Sequence, residues 1–238
     1  MKIRIIIILA LTVFLAGCAI RPTFQVKVDS ISGPDASIKT KYLLLPGLKD
    51  ADVNDLQFKE YATYVDRALT YKGFIKANDF QDANIVIFIV YGIGDPQTQQ
   101  YSYALPMWGQ TGVSSSTTYG TLSTYGRYGT YQGTTTYTPS YGITGYIPMV
   151  GAYTTYFRFL ILDAINLDEY KSSQKILQLW KTTVTSIGSS GDLRKVFPYL
   201  VAAYRPYLGT NTGQKVEIML AEDDNTVIEI RGLSKQNK

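Results

Sequence analysis

The sequence predicts an α+β domain: two helices packed on one face of a mixed or antiparallel sheet, with a long Tyr/Gly/Thr-rich insertion. Three observations lead there. Phe58, Tyr61, Ala62, Val65, Ala68 and Leu69 recur at three and four residues, the period of a helix with one apolar face. Residues 85–91 are unbroken Ile, Val, Phe and Tyr, the composition of a central strand covered on at least part of both faces. Between Asp95 and Asp163 there is no Asp, Glu or Lys, and Arg127 and Arg158 are the only charges.

In chain order, residues 42–45 are a short apolar run stopped by Pro46-Gly47, which reads as a strand and its turn. The first helix is expected to begin at Asn54, whose side chain can accept from free amides, with Gln57 three positions on. Gly73 supplies its left-handed stop. Residues 74–77 and 85–91 give two strands, and residues 155–164 and 176–187 give two more after the insertion. Leu193, Val196, Phe197, Leu200, Val201 and Tyr204 form the face of a second helix, capped by Ser190 or Asp192. Pro198 removes the bond to the Arg194 carbonyl, so a kink or a later start at Pro198 is expected. Val216–Ala221 and residues 227–230 are expected to close the domain as a hairpin.

The amino-terminal residues have the parts of a secretory leader. Lys2 and Arg4 precede an apolar run over residues 5–15, with Ala16 and Gly17 before Cys18. The run is shorter than the roughly twenty helical residues that cross a hydrocarbon core. Leu15-Ala16-Gly17-Cys18 resembles the lipobox of bacterial lipoproteins. That resemblance implies cleavage before Cys18, with a diacylglycerol thioether on its sulfur and a fatty acid such as palmitate on its amine. Two buried acyl chains already anchor a protein stably. In lipoproteins an Asp after the cysteine commonly signals inner-membrane retention, and Ala19 stands there, so the resemblance implies the outer membrane, facing the periplasm. Cys18 is the chain's only cysteine, which rules out an intramolecular disulfide.

These boundaries give a signal peptide over residues 1–17, an anchor and linker over 18–40, and a periplasmic domain over 41–232 with its insertion at about 97–153. Residues 233–238 make a polar tail. Lys41-Tyr42-Leu43-Leu44-Leu45-Pro46, the helix containing Phe58-Lys59-Glu60-Tyr61 and ending Lys72-Gly73-Phe74, and Asp82-Ala83-Asn84-Ile85-Val86-Ile87 together resemble a family of bacterial lipoproteins known as a domain of unknown function. The resemblance covers roughly the first half of the chain after Cys18. It implies a periplasm-facing α+β domain and carries no catalytic residues with it. The insertion departs from the family pattern.

The chain has no histidine, the commonest general base and metal ligand. Its charge of +4 includes Lys2 and Arg4, so only +2 remains beyond the leader, too little for a nucleic-acid partner. Asp79 with Asp82 and Asp223 with Asp224 sit in turn-like sequence. The chain therefore reads as non-catalytic, without cofactor or metal; a cell-wall hydrolase using such acids is the alternative enzyme reading. Gly188-Ser189-Ser190-Gly191 before a helix suits either an anion cradle or an ordinary turn.

The stretch between Asp95 and Asp163, which contains the insertion, holds more than half of the chain's tyrosines. Three arrangements suit it: a loosely ordered loop, a β-hairpin presenting rings to a glycan or envelope protein, or a hairpin joining a ring of copies into an outer-membrane barrel, as in a secretion or export assembly. For the last, Val113, Leu122, Ile143, Ile147 and Val150 look scattered. Tyr119, Tyr125, Tyr128, Tyr131 and Tyr137 are the candidate contact residues, with the membrane reached through the lipid anchor.

Overall fold

The computed structural model describes residues 22–37, 39–49, 51–125 and 128–233. Cys18 lies outside them. The chain divides into two units, one of Met1–Gln97 with Thr155–Lys238 and the other Thr98–Thr154.

The first unit is built on a mixed sheet. Its strands are β1 (Thr23–Ser32), β2 (Lys41–Pro46), β3 (Ile75–Lys76), β4 (Ile85–Ile93), the end of β6 (Tyr128–Asn166), β7 (Gln178–Gly188) and β8 (Val216–Ala221). They lie in the order β3-β2-β4-β6-β7-β1-β8. β2 runs parallel to β3 and β4, and every other pairing on this path is antiparallel. β4 occupies an interior place, as its unbroken apolar run requires. Ile85, Ile87, Ile89 and Tyr91 enter the main core, while Val86 and Phe88 serve a smaller cluster with Leu43, Leu45 and Leu167.

The expected two helices on one face are corrected to four α-helices among the described residues, and strand exceeds helix at 53% against 24%. These are α1 (Leu56–Tyr71), α2 (Leu167–Ser173), α3 (Leu193–Tyr204) and α4 (Asn225–Arg231). α1, α3 and α4 contribute to the main core; Leu167 of α2 belongs to the second cluster. The closing hairpin is also corrected. Ile228 and Ile230 alternate as in a strand, whereas Val227 and Ile230, three residues apart, share a helix face; the Asp224 carboxylate caps Thr226 and turns the segment into α4, with Gly232 in the left-handed conformation at its end.

The segment expected as a linker contains β1. Phe24, Val26, Val28 and Ser30 alternate with Gln25, Lys27 and Asp29, and the first set faces inward. At its centre the Ser30 and Thr182 hydroxyls meet at 2.7 Å, satisfying two buried polar groups at once.

α1 starts one residue later than expected. Asp55, not Asn54, accepts from the amides of Gln57 and Phe58 at 2.6 and 3.1 Å. Gly73 follows it at φ +87°. In α3, Asp192 caps Lys195 at 3.2 Å, and the helix runs unbroken through the buried Pro198. Tyr61 of α1 and Phe197 of α3 stack with centroids 3.9 Å apart and planes 6° apart, and Tyr91 of β4 meets both rings edge-on. That cluster fixes the two helices over the sheet.

Candidate contact ribbon

The second unit lies within β5 (Gln97–Tyr125) and β6, which pair with each other. Of the three arrangements the composition allows, a loose loop is not what forms: the segment is a two-stranded β-ribbon. Its Thr, Tyr and Val content favours strand over helix. Cross-strand bonds show that the arms run antiparallel. Thr98 and Thr154 hydroxyls meet at 2.9 Å, the Thr144 hydroxyl donates to the Met107 carbonyl at 3.3 Å, the Ser114 hydroxyl to the Thr138 carbonyl at 3.1 Å, and Thr118 and Thr135 meet at 2.8 Å. Pro106, Pro139 and Pro148 sit within the arms. Proline is confined to edges and bulges of sheets, and in a two-stranded ribbon both arms are edges.

At about 3.3 Å per residue, residues 98–125 extend for roughly 90 Å. Nearly all described side chains along them are exposed, including large ones. Trp108 is 72% exposed, Tyr141 69% and Val150 69%. A ribbon with no covered face gains little burial to offset the entropy of ordering it.

Among the expected contact residues, Tyr119, Tyr131 and Tyr137 all stand exposed on the arms. Tyr125 ends β5 and Tyr128 begins β6, and their side chains lie outside the described residues. Tyr131 lies over two glycines: a Cβ on Gly120 or Gly133 would come within 2.5 Å of its phenol. Among the described residues, Tyr119, Tyr131 and Tyr137 are not gathered into one ring cluster. The ring contacts among the described ribbon residues lie nearer its other end, where Tyr101 meets Tyr103 and Tyr153 at 5.9 and 6.1 Å between centroids. The Tyr153 hydroxyl donates to Gln99 at 2.5 Å.

Sequence reasoning passed over Trp108, Tyr141 and Tyr146, which are as exposed as Tyr131 and Tyr137, and over the half-exposed Tyr101 and Tyr153. The readable signal was a period of two. Along β6, Tyr131, Tyr137, Tyr141, Ile143, Ile147, Met149 and Tyr153 share one parity, whereas Gln132, Thr134, Thr136, Thr138, Ser140 and Thr144 share the other. Between residues 131 and 153, Thr135, Tyr146 and Val150 break the rule. Successive strand residues face opposite ways, so one face is aromatic and aliphatic and the other is mainly hydroxylic.

No protein-family model matches the chain, and no curated protein matches it. A PDZ domain protein from Parabacteroides distasonis is similar in structure with a TM-score of 0.38 and 11% identity, over 87% of this chain and 41% of that one. The lysenin pore aligns with a TM-score of 0.11 and 8% identity, over 84% of this chain and 48% of that one. The chain spans less than half the length of either, and neither likeness is close enough to carry an argument about fold or function.

Proposed function

We propose that this is a lipid-anchored outer-membrane lipoprotein with a non-catalytic binding or structural role in the cell envelope, making its contact through the ribbon. One observation carries the reading: a long two-stranded ribbon with both faces exposed and large apolar side chains along it. Exposed apolar surface on this scale marks an interaction site, because an isolated hairpin is marginal in water. Deleting residues 112–147 from the full-length protein tests it. The expected result is an unchanged far-ultraviolet spectrum for the remaining domain and loss of the envelope neighbours captured by crosslinking. An unchanged set of neighbours overturns the proposal.

A second reading is favoured by the alternation along β6. The aromatic face would meet lipid and the hydroxylic face water, with copies pairing edge to edge into a barrel. Ile143, Ile147 and Met149 lie between Tyr141 and Tyr153, a stretch of about 40 Å along the strand. Tilted by about 40°, it covers roughly the 30 Å of a hydrocarbon core, with tyrosines at both interfaces. No helix among the described residues is long and apolar enough to cross a membrane. The three prolines count against this reading, since each lacks a donor for a ladder. Native-mass measurement of the detergent-extracted protein, with conductance in planar bilayers, decides it. A conducting ring that Ile147→Asp abolishes and Thr136→Asp leaves intact supports a barrel; a non-conducting monomer rejects it.

A further inference from the structure

Arg158 on β6 is 2% exposed, one of the largest fully buried side chains in the first unit. Its Nη1 donates to the Ser190 carbonyl at 3.2 Å and its Nη2 to the Ser186 hydroxyl at 2.9 Å. Its Nε has no partner among the described residues. No carboxylate among the described residues is bonded to it, and burial alone pulls its pKa down. A buried guanidinium without a counter-charge is costly, and the fold makes room for it nonetheless. Gly188 is the means: a Cβ there would stand 2.5 Å from Nη2.

Arg158 lines a cavity of about 450 Å³, together with Lys195, the Gly188-Ser189-Ser190 loop, and Thr23 and Gln25 of β1. Glu222 is on the same lining, so the site is cationic by one charge. The loop is the segment whose composition suited either a turn or an anion cradle. The turn into α3 is real: the Ser190 hydroxyl accepts from the Asp192 amide and the Asp192 carboxylate from the Lys195 amide, each at 3.2 Å. The uncompensated guanidinium beside it is the independent feature that a turn does not explain.

We propose that this cavity binds a phosphate group, with Arg158 and Lys195 supplying the charge. A guanidinium offers the planar fork that matches phosphate oxygens, and Lys195 adds a point charge. Pro22 also lines the cavity, and Cys18 precedes it by four peptide steps, a span of about 14 Å at most. If Cys18 carries the lipid, a phospholipid headgroup lies within reach; free phosphate is the other source of the same chemistry.

The test uses the full-length protein in neutral detergent, titrated calorimetrically with inorganic phosphate. Saturable binding is expected, weakened about tenfold or more by Arg158→Met and several-fold by Lys195→Gln. Gly188→Ala keeps both charges and displaces the guanidinium, so it should weaken binding as well; circular dichroism of each variant establishes that it is folded. Co-sedimentation of the Cys18→Ser protein with phosphatidylcholine vesicles, with and without phosphatidic acid, separates the sources. Retention only with phosphatidic acid, lost in Arg158→Met, identifies a headgroup; phosphate binding without vesicle retention identifies the free anion. Absence of both, or binding that folded Arg158→Met and Gly188→Ala leave unchanged, overturns the proposal. The ribbon deletion leaves this cavity intact, so the two proposals fail separately.

Discussion

Gly151 lies directly beneath the ring of Tyr101, so that a Cβ at residue 151 would come within 2.6 Å of the phenol carbon bearing the hydroxyl. This seat lets Tyr101 also approach Tyr153 and Tyr103, making the one aromatic cluster among the ribbon's described ring contacts. Gly151→Leu should unseat the ring. Aromatic pairs contribute about 0.5–1.5 kcal/mol each, so the near-ultraviolet tyrosine signal should fall while the melting temperature of the first unit stays put. An unchanged signal would mean that the cluster is not formed in solution.

Asp55 holds the first amides of α1. Asp55→Ala should destabilise the protein by about 1 kcal/mol, and Asn54→Ala should have little effect, because Asn54 is not the cap. Urea unfolding of the two variants side by side reads the difference. Equal losses would contradict the cap assignment.

Tyr204 is fully buried, its hydroxyl has no partner among the described residues, and burial pushes its pKa well above the usual tyrosine value. An unsatisfied buried hydroxyl costs about 1–3 kcal/mol, so Tyr204→Phe should leave stability unchanged or raise it. By contrast, Phe197→Ala removes a ring stacked on Tyr61 and should cost about 3–5 kcal/mol. A marked loss in Tyr204→Phe would reveal a partner for the hydroxyl.

Arg194 bonds Glu60 at 2.8 Å and holds its carboxyl below the usual carboxylate range, burial opposing and the Tyr64 hydroxyl assisting. The folded pKa is therefore the lower one. The pair's contribution is present above the unfolded carboxylate pKa of about 4.3 and fades as pH falls through the folded value. Glu60→Gln should flatten the acid limb of a melting-temperature profile slightly, with a smaller effect in high salt because Arg194 is largely exposed. A loss in Glu60→Gln as large in acid as at neutral pH would contradict this assignment.

The sequence made some elements easy to read and others not, for physical reasons. The α1 face was legible because six apolar residues repeat at helical spacing and all six are buried. β4 was legible because a strand between two apolar layers cannot alternate. β1 was hidden: its outward Lys27 and Asp29 gave it the composition of a linker, although its inward residues alternate. α4 is only seven residues long, and Ile228 and Ile230 alternate like a strand while Val227 and Ile230 sit at helical spacing, so the cap at Asp224 was the deciding signal. In the ribbon, glycine, serine and threonine lower the mean hydropathy of both faces, and the alternation emerges only when tyrosine is counted with Ile143, Ile147 and Met149. Arg158 was readable as one of two charges in a long uncharged stretch, but nothing in its neighbours announced that it would be buried without a carboxylate.

Cysteine labelling in the intact envelope tests the ribbon's role most directly. Tyr141→Cys and Ile147→Cys are compared with Thr63→Cys, an exposed site on α1, and with the parent chain, whose only cysteine is Cys18. A water-soluble maleimide is applied to permeabilised envelopes and to purified protein. The account predicts that residues 141 and 147 are protected in the envelope and reactive after purification with the ribbon freed of its partner, while residue 63 reacts in both. Equal reactivity of all three in the envelope would contradict it.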